Sequence, residues 1–109
     1  MDLGLRIYAE LPDVAAGEAL ADQVIALLPG SARVLAREVK PYWKIPEHQG
    51  IWLRLAAVDL IVTFDAVMAA LAASWDVHCE GKERWAVWNH YHDGPGVLPP
   101  LRWMNLEPL

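Results

Sequence analysis

The stretch Glu83-Arg84-Trp85-Ala86-Val87-Trp88-Asn89-His90-Tyr91-His92-Asp93 carries the densest mixture of aromatic and ionisable side chains in the chain. It reads as the last main strand of a sheet, with Trp85, Val87, Asn89 and Tyr91 on one side and Arg84, Ala86, Trp88 and His90 on the other. A strand that is bulky and apolar on both faces is normally covered on both. The candidates for the second cover are the carboxy-terminal tail with Trp103 and Met104, a second copy of the chain, or another protein.

Upstream, Leu3, Leu5, Ile7, Ala9 and Leu11 alternate with Gly4, Arg6, Tyr8 and Glu10. This period of two predicts a first strand over Leu3 to Leu11 with one buried face. Pro12-Asp13 breaks it and offers an N-cap, and Leu20, Val24, Leu27 and Leu28 recur at helical spacing until Pro29-Gly30. A first helix over Val14 to Leu28 follows. Ser31 to Tyr42 suits a second strand, Pro41 to Gly50 a loop, and Ile51 to Val58 a third strand. A second helix is capped by Asp59 or Thr63, buries Leu60, Phe64, Val67, Met68 and Leu71, and ends near Trp75. Asp76 to Lys82 reads as a polar turn region, and Leu101 to Glu107 as an extended tail forming an edge strand.

The order β-α-β-β-α-β resembles the ferredoxin-like split βαβ arrangement. That resemblance implies a single α+β domain over residues 1–109: a four-stranded antiparallel sheet in the order four, one, three, two, two helices on one face, and the tail outside. An alternative with the same elements is a dimeric α+β barrel in which two open faces close on each other. If Leu5, Ile7, Ala9, Leu53, Leu55 and Ala57 face the helices, then Arg6, Tyr8, Glu10, Trp52 and Arg54 face outward at the centre of the sheet. Tyr, Trp and Arg are the side chains enriched at protein-interface hot spots. The competing expectation is that the tail or the Pro41 to Gly50 loop folds across this face and hides it.

At 109 residues the chain matches one domain, and six Trp are more than so small a core can hide. Fourteen acidic against nine basic residues give a net charge of -5, which disfavours an unaided grip on nucleic acid or an anionic membrane. The lone Cys79 excludes an internal disulfide, and residues 1–20 lack the basic start and apolar run of a secretory signal, so a cytoplasmic location is expected. No apolar run reaches the ~18–20 residues of a membrane span, since Asp59 and Asp65 interrupt Ile51 to Trp75.

Candidate chemistry is sparse. His90 and His92 fall on one side of an extended chain beside Asp93, with His48, His78 and Cys79 as further potential ligands, but this spacing fits no zinc signature and no metal or cofactor is expected. Cys79 and His78, adjacent in a strand, point to opposite faces and cannot activate one another directly. Asp59 and Asp65 read as helix-start charges, and Gly94-Pro95-Gly96 as a turn rather than a phosphate loop. Aromatics on the two central strands resemble the RNA-recognition motif, but its strand-three sequence is missing and the acidic balance opposes it.

The phrases Arg84-Trp85-Ala86-Val87-Trp88-Asn89 and Arg102-Trp103-Met104-Asn105-Leu106-Glu107 resemble those of small bacterial immunity proteins, which neutralise a toxin, often a nuclease. This implies a non-catalytic inhibitor that occludes the active site of a cognate toxin. Its expected anchors are Tyr8, Trp52, Arg54, Trp85 and Trp88, and its rim acids Glu47, Asp76, Glu80, Glu83 and Asp93. The alternative is a small homodimeric enzyme or ligand-binding protein with a pocket between sheet and helices.

Overall fold

Alternation sets the sheet. In a computed structural model, which describes residues 2–80 and 83–109, Leu3, Leu5, Ile7 and Ala9 are fully buried along β1 (Asp2–Glu10). Ile51, Leu53, Leu55 and Ala57 repeat the pattern along β3 (His48–Ala57). The two strands are antiparallel neighbours, with Arg6 opposite Trp52 and Tyr8 opposite Gly50. β2 (Ala32–Pro41) flanks β3, and a bulge between Val34 and Ala36 shifts its register. Both helices lie on the face that buries these aliphatic residues.

Aspartates start both helices. The Asp13 carboxylate accepts from the Ala16 N–H at 2.8 Å and opens α1 (Val14–Leu27); Asp59 accepts from the Val62 N–H at 3.0 Å and opens α2 (Leu60–Leu71). Each side chain satisfies one of the orphan donors of a first turn. Asp59 is thus the cap of α2, and Thr63 lies buried within it. α2 stops at Leu71, short of Trp75, whose indole N–H instead donates to the Met68 carbonyl at 2.9 Å. At the other helix, a Cβ on Gly17 would meet Val39 Cγ1 at 2.7 Å and Gln49 Cβ at 3.3 Å, so α1 sits on β2 and β3 at a distance only glycine permits.

The rest of the sheet departs from the four-stranded ferredoxin-like arrangement. Asp76 to Glu80 is a strand, β4, rather than a polar turn; it pairs with β5 (Glu83–Asn89). The expected turn at Gly81-Lys82 lies outside the described residues. The tail forms β6 (Leu101–Pro108), which enters between β1 and β5 instead of adding an edge. The result is a six-stranded antiparallel sheet in the order β2-β3-β1-β6-β5-β4. The adjacency of β1, β3 and β2 in the sheet matches the expected order, but β6 takes the place beside β1 assigned to the strand at Glu83.

The physical reason lies in β6 itself. Leu101, Met104 and Leu106 are fully buried, with Met104 opposite Ile7 and Leu106 opposite Leu5. A strand with that much apolar area to hide gains more in the centre than at an edge, where one neighbour would be missing. β4, by contrast, is exposed at all five positions and closes the sheet as a short edge.

β6 also settles the second face of β5. Ala86 and Trp88 point with Leu106 and Met104 into the helix-side core, and Trp88 is the largest fully buried side chain there. Gly96 lies against it: a Cβ at Gly96 would approach two atoms of the Trp88 ring to 3.2 Å each. Trp85 and Val87 therefore turn to the opposite side of the sheet.

Candidate binding face

The helix-free side of the sheet carries a row of aromatic rings. Tyr8 stands at its centre. Tyr42, from the β2–β3 hairpin, stacks on it with centroids 4.2 Å apart and planes 15° apart. Trp103 of β6 stacks on its other side at 5.2 Å and 29°. Gly50, opposite Tyr8, leaves room for this, since a Cβ there would meet Tyr8 Cε1 at 3.3 Å. Trp43, next along the hairpin, is 82% exposed, with Lys44 Nζ 5.2 Å from its ring centroid.

Tyr8, Tyr42, Trp43 and Trp52 wall a cleft of about 500 Å³, floored by Gly50 and flanked by Arg6, Glu38 and Lys40. Lys40 pairs with Glu38 at 3.2 Å, whereas Arg6 forms no ion pair among the described residues. The cleft faces away from the helices, so it is not the pocket between sheet and helices that the sequence allowed. Neither the tail nor a full loop hides this face. The tail is inside the sheet, and among the described residues only Tyr42 and Trp43 lean over one corner.

Of the expected anchors, Tyr8, Trp52, Arg54 and Trp85 share this face. Arg54 is held by Asp2: its Nε donates to Oδ2 at 2.7 Å, and Nη2 forms an ion pair with the same oxygen at 2.7 Å. Trp85 stacks on His78 at 5.3 Å and 11°, and His78 Nε2 lies 3.1 Å from Asp76. Trp88 does not belong with them. It is fully buried on the other face and cannot touch a partner.

The expected rim acids separate. Asp76, Glu80 and Glu83 cluster on β4 and β5 at one side of the open face. Glu47 lies in the β2–β3 loop near the opposite side, where its carbonyl accepts from the Leu11 N–H at 3.0 Å. Asp93 is occupied by local structure: its carboxylate accepts from the Asn89 N–H at 2.9 Å, while its own N–H donates to the Asn89 carbonyl at 2.8 Å. That turn also ends the extended chain, so His90 and His92 do not alternate along a strand as the sequence implied. Among the described residues no three of His, Cys, Asp and Glu converge as a metal-ligand set. Cys79 is exposed on β4 in register with Arg84, on the side opposite His78.

The sequence reading missed Tyr42, Trp43 and Trp103 as members of the face. A signal existed for the first two, because Tyr42-Trp43 directly follows Pro41 at the end of a strand, where a hairpin can fold over its own sheet. Trp103 required knowing that β6 lies beside β1.

A second exposed apolar group, Val58, Ile61 and Val62, surrounds the start of α2 on the helix side. Among the described residues no helix is long and apolar enough to cross a membrane. Comparison with known protein families, curated proteins and solved structures finds no match to this chain.

Proposed function

We propose that this chain is a non-catalytic binding protein of the immunity type, which docks a bacterial toxin through the open face of its sheet and occludes the toxin's active site. The observation that carries this reading is the uncovered aromatic row Tyr42, Tyr8 and Trp103 beside Trp52 and Arg54. Rings already stacked on each other lose little freedom on binding, so their contact area converts efficiently into affinity. Arg54, pinned by Asp2, is pre-oriented in the same way. Asp76, Glu80 and Glu83 give one side of the face the sign that would compete for the cationic groove of a nuclease.

The test uses the chain as bait in a lysate of the cells that make it, beside a Tyr8→Ala/Trp52→Ala bait. The reading expects a protein retained by the native face only, toxic when expressed alone, and neutralised by co-expression of the chain. Retention that ignores the face variants, or a retained protein whose toxicity the chain does not relieve, overturns it.

A further inference from the structure

The open face is dipolar. On the β2-β3-β1 half it presents Arg33, Lys40, Arg54 and Arg6 against Glu38, Asp2 and Glu10, as fixed by the pairing of Arg33 with Ala56, Lys40 with Gly50, and Arg6 with Trp52. On the β6-β5-β4 half it presents Glu107, Glu83, Glu80 and Asp76, with His78 as the imidazole among them and Arg102 paired to Glu10 across the boundary at 3.0 Å. The boundary runs between β1 and β6, which is the middle of the six-strand order.

A two-fold axis lying in the plane of the face along that boundary has a definite effect. It places β2 of one copy over β4 of its partner, β3 over β5, and β1 over β6. The cationic half of each copy then lies over the acidic half of the other, twice per dimer, as an isologous contact requires. Rotation about an axis parallel to the strands preserves height along them, so the ladders also set which residues meet. Arg33, level with Ala56 and Asp2, faces the end of the β4–β5 ladder where Glu80 pairs with Glu83. Trp52, level with Arg6 and Asn105, faces Val87. Tyr8 faces Trp103, its own neighbour across the boundary. The Tyr42–Trp43 hairpin overhangs the level of Lys40 and Gly50, beyond the point where β4 begins at Asp76, so the short edge strand leaves room for it.

The size of the face agrees. Six strands spaced about 4.8 Å apart, each running roughly 26 Å, offer on the order of 700 Å² per copy. Stable standard interfaces use about 800 Å² per partner.

We infer that, without its partner, the chain is a face-to-face homodimer in which the cationic half of each open face covers the acidic half of the other. This rests on the reading of the open face as the docking surface and adds a regulation of it: partner docking and self-association compete for the same rings.

Two charge-reversed variants test it by sedimentation velocity and native mass measurement. Arg33→Glu/Arg54→Glu makes the whole face acidic, and Glu80→Lys/Glu83→Lys makes it basic. The native chain sediments at twice its 12.2 kDa, and raising the salt weakens it. Each variant alone is a monomer, with dimerisation weakened at least tenfold and circular dichroism unchanged. Mixed together, the two variants form a heterodimer, because every reversed charge meets its complement. A native chain that stays monomeric at tens of micromolar, a dimer indifferent to both reversals, or folded variants that fail to combine when mixed overturns the inference. A monomeric native chain that still captures a toxin through Tyr8 and Trp52 overturns the dimer alone. A dimer that captures nothing overturns the docking function alone.

Discussion

Tyr42 lies flat on Tyr8, ring centroids 4.2 Å apart, and so ties the β2–β3 hairpin to the central strand of the sheet. Stacked aromatic pairs contribute about 0.5–1.5 kcal/mol beyond the area they bury. A double-mutant cycle of Tyr8→Leu and Tyr42→Leu, read by urea unfolding, is therefore expected to return a coupling of about 1 kcal/mol. Strict additivity would mean that the rings stack without stabilising the hairpin.

Gly17 gives a second prediction, because two effects oppose each other there. Replacing a helix glycine by alanine gains about 1 kcal/mol of propensity. Here the new Cβ would lie 2.7 Å from Cγ1 of Val39, a stiff β-branched side chain, and overpacking of this kind costs about 1–3 kcal/mol. Gly17→Ala is expected to lower stability, and adding Val39→Ala to recover part of the loss. A Gly17→Ala chain that melts higher than the native one would show that α1 can move outward freely.

The place of β6 makes a third. Met104 and Leu106 pair on both sides, to Ile7 and Leu5 of β1 and to Trp88 and Ala86 of β5. Amide hydrogen exchange at these two residues is expected to be as slow as at Leu5 and Ile7, and far slower than along the exposed edge β4. Fast exchange at Met104 and Leu106 would return the tail to an edge or peripheral position.

Arg37 gives a fourth, on pH and salt. The hydrogen bonds it donates to Asp22 first and Glu18 second raise its pKa above the ordinary arginine value, with burial acting the other way. A group whose folded pKa is raised stabilises below its unfolded pKa and loses that contribution only as pH climbs through the folded value. Arg37 itself therefore contributes no pH dependence across the neutral range. Its partners are about half and three-quarters exposed. Arg37→Met is accordingly expected to cost no more than about 1 kcal/mol, less in high salt. A loss of several kcal/mol that salt leaves unchanged would assign Arg37 a packing role instead.

The local half of this fold was legible in the sequence. Alternation in Leu3 to Leu11 and Ile51 to Val58 identified β1 and β3, Asp13 the start of α1, and Asp59 or Thr63 the start of α2, because each signal acts within a few residues. The outward set Arg6, Tyr8, Trp52 and Arg54 followed from the same alternation. What failed was pairing. Asp76 to Glu80 is exposed throughout and shows no apolar periodicity, so only its partner Glu83 to Asn89 makes it a strand. Leu101 to Glu107 looks alike as an edge or a centre; the difference lies in Met104 and Leu106 meeting Ile7 and Leu5 nearly a hundred residues away. Trp88 was misread as an anchor for the same reason, since a strand bulky on both faces does not say which face the helices cover.

The central claim, that the open face is the working surface, is tested most directly by affinity for the captured partner at chain concentrations low enough to keep it monomeric. Tyr8→Ala and Trp52→Ala are each expected to weaken binding about thirtyfold, the scale of a hot spot of about 2 kcal/mol. Ile61→Asp, at an exposed residue on the helix side, is expected to leave it unchanged. Binding that survives both face variants and is lost with Ile61→Asp would contradict the account and move the working surface to the helices.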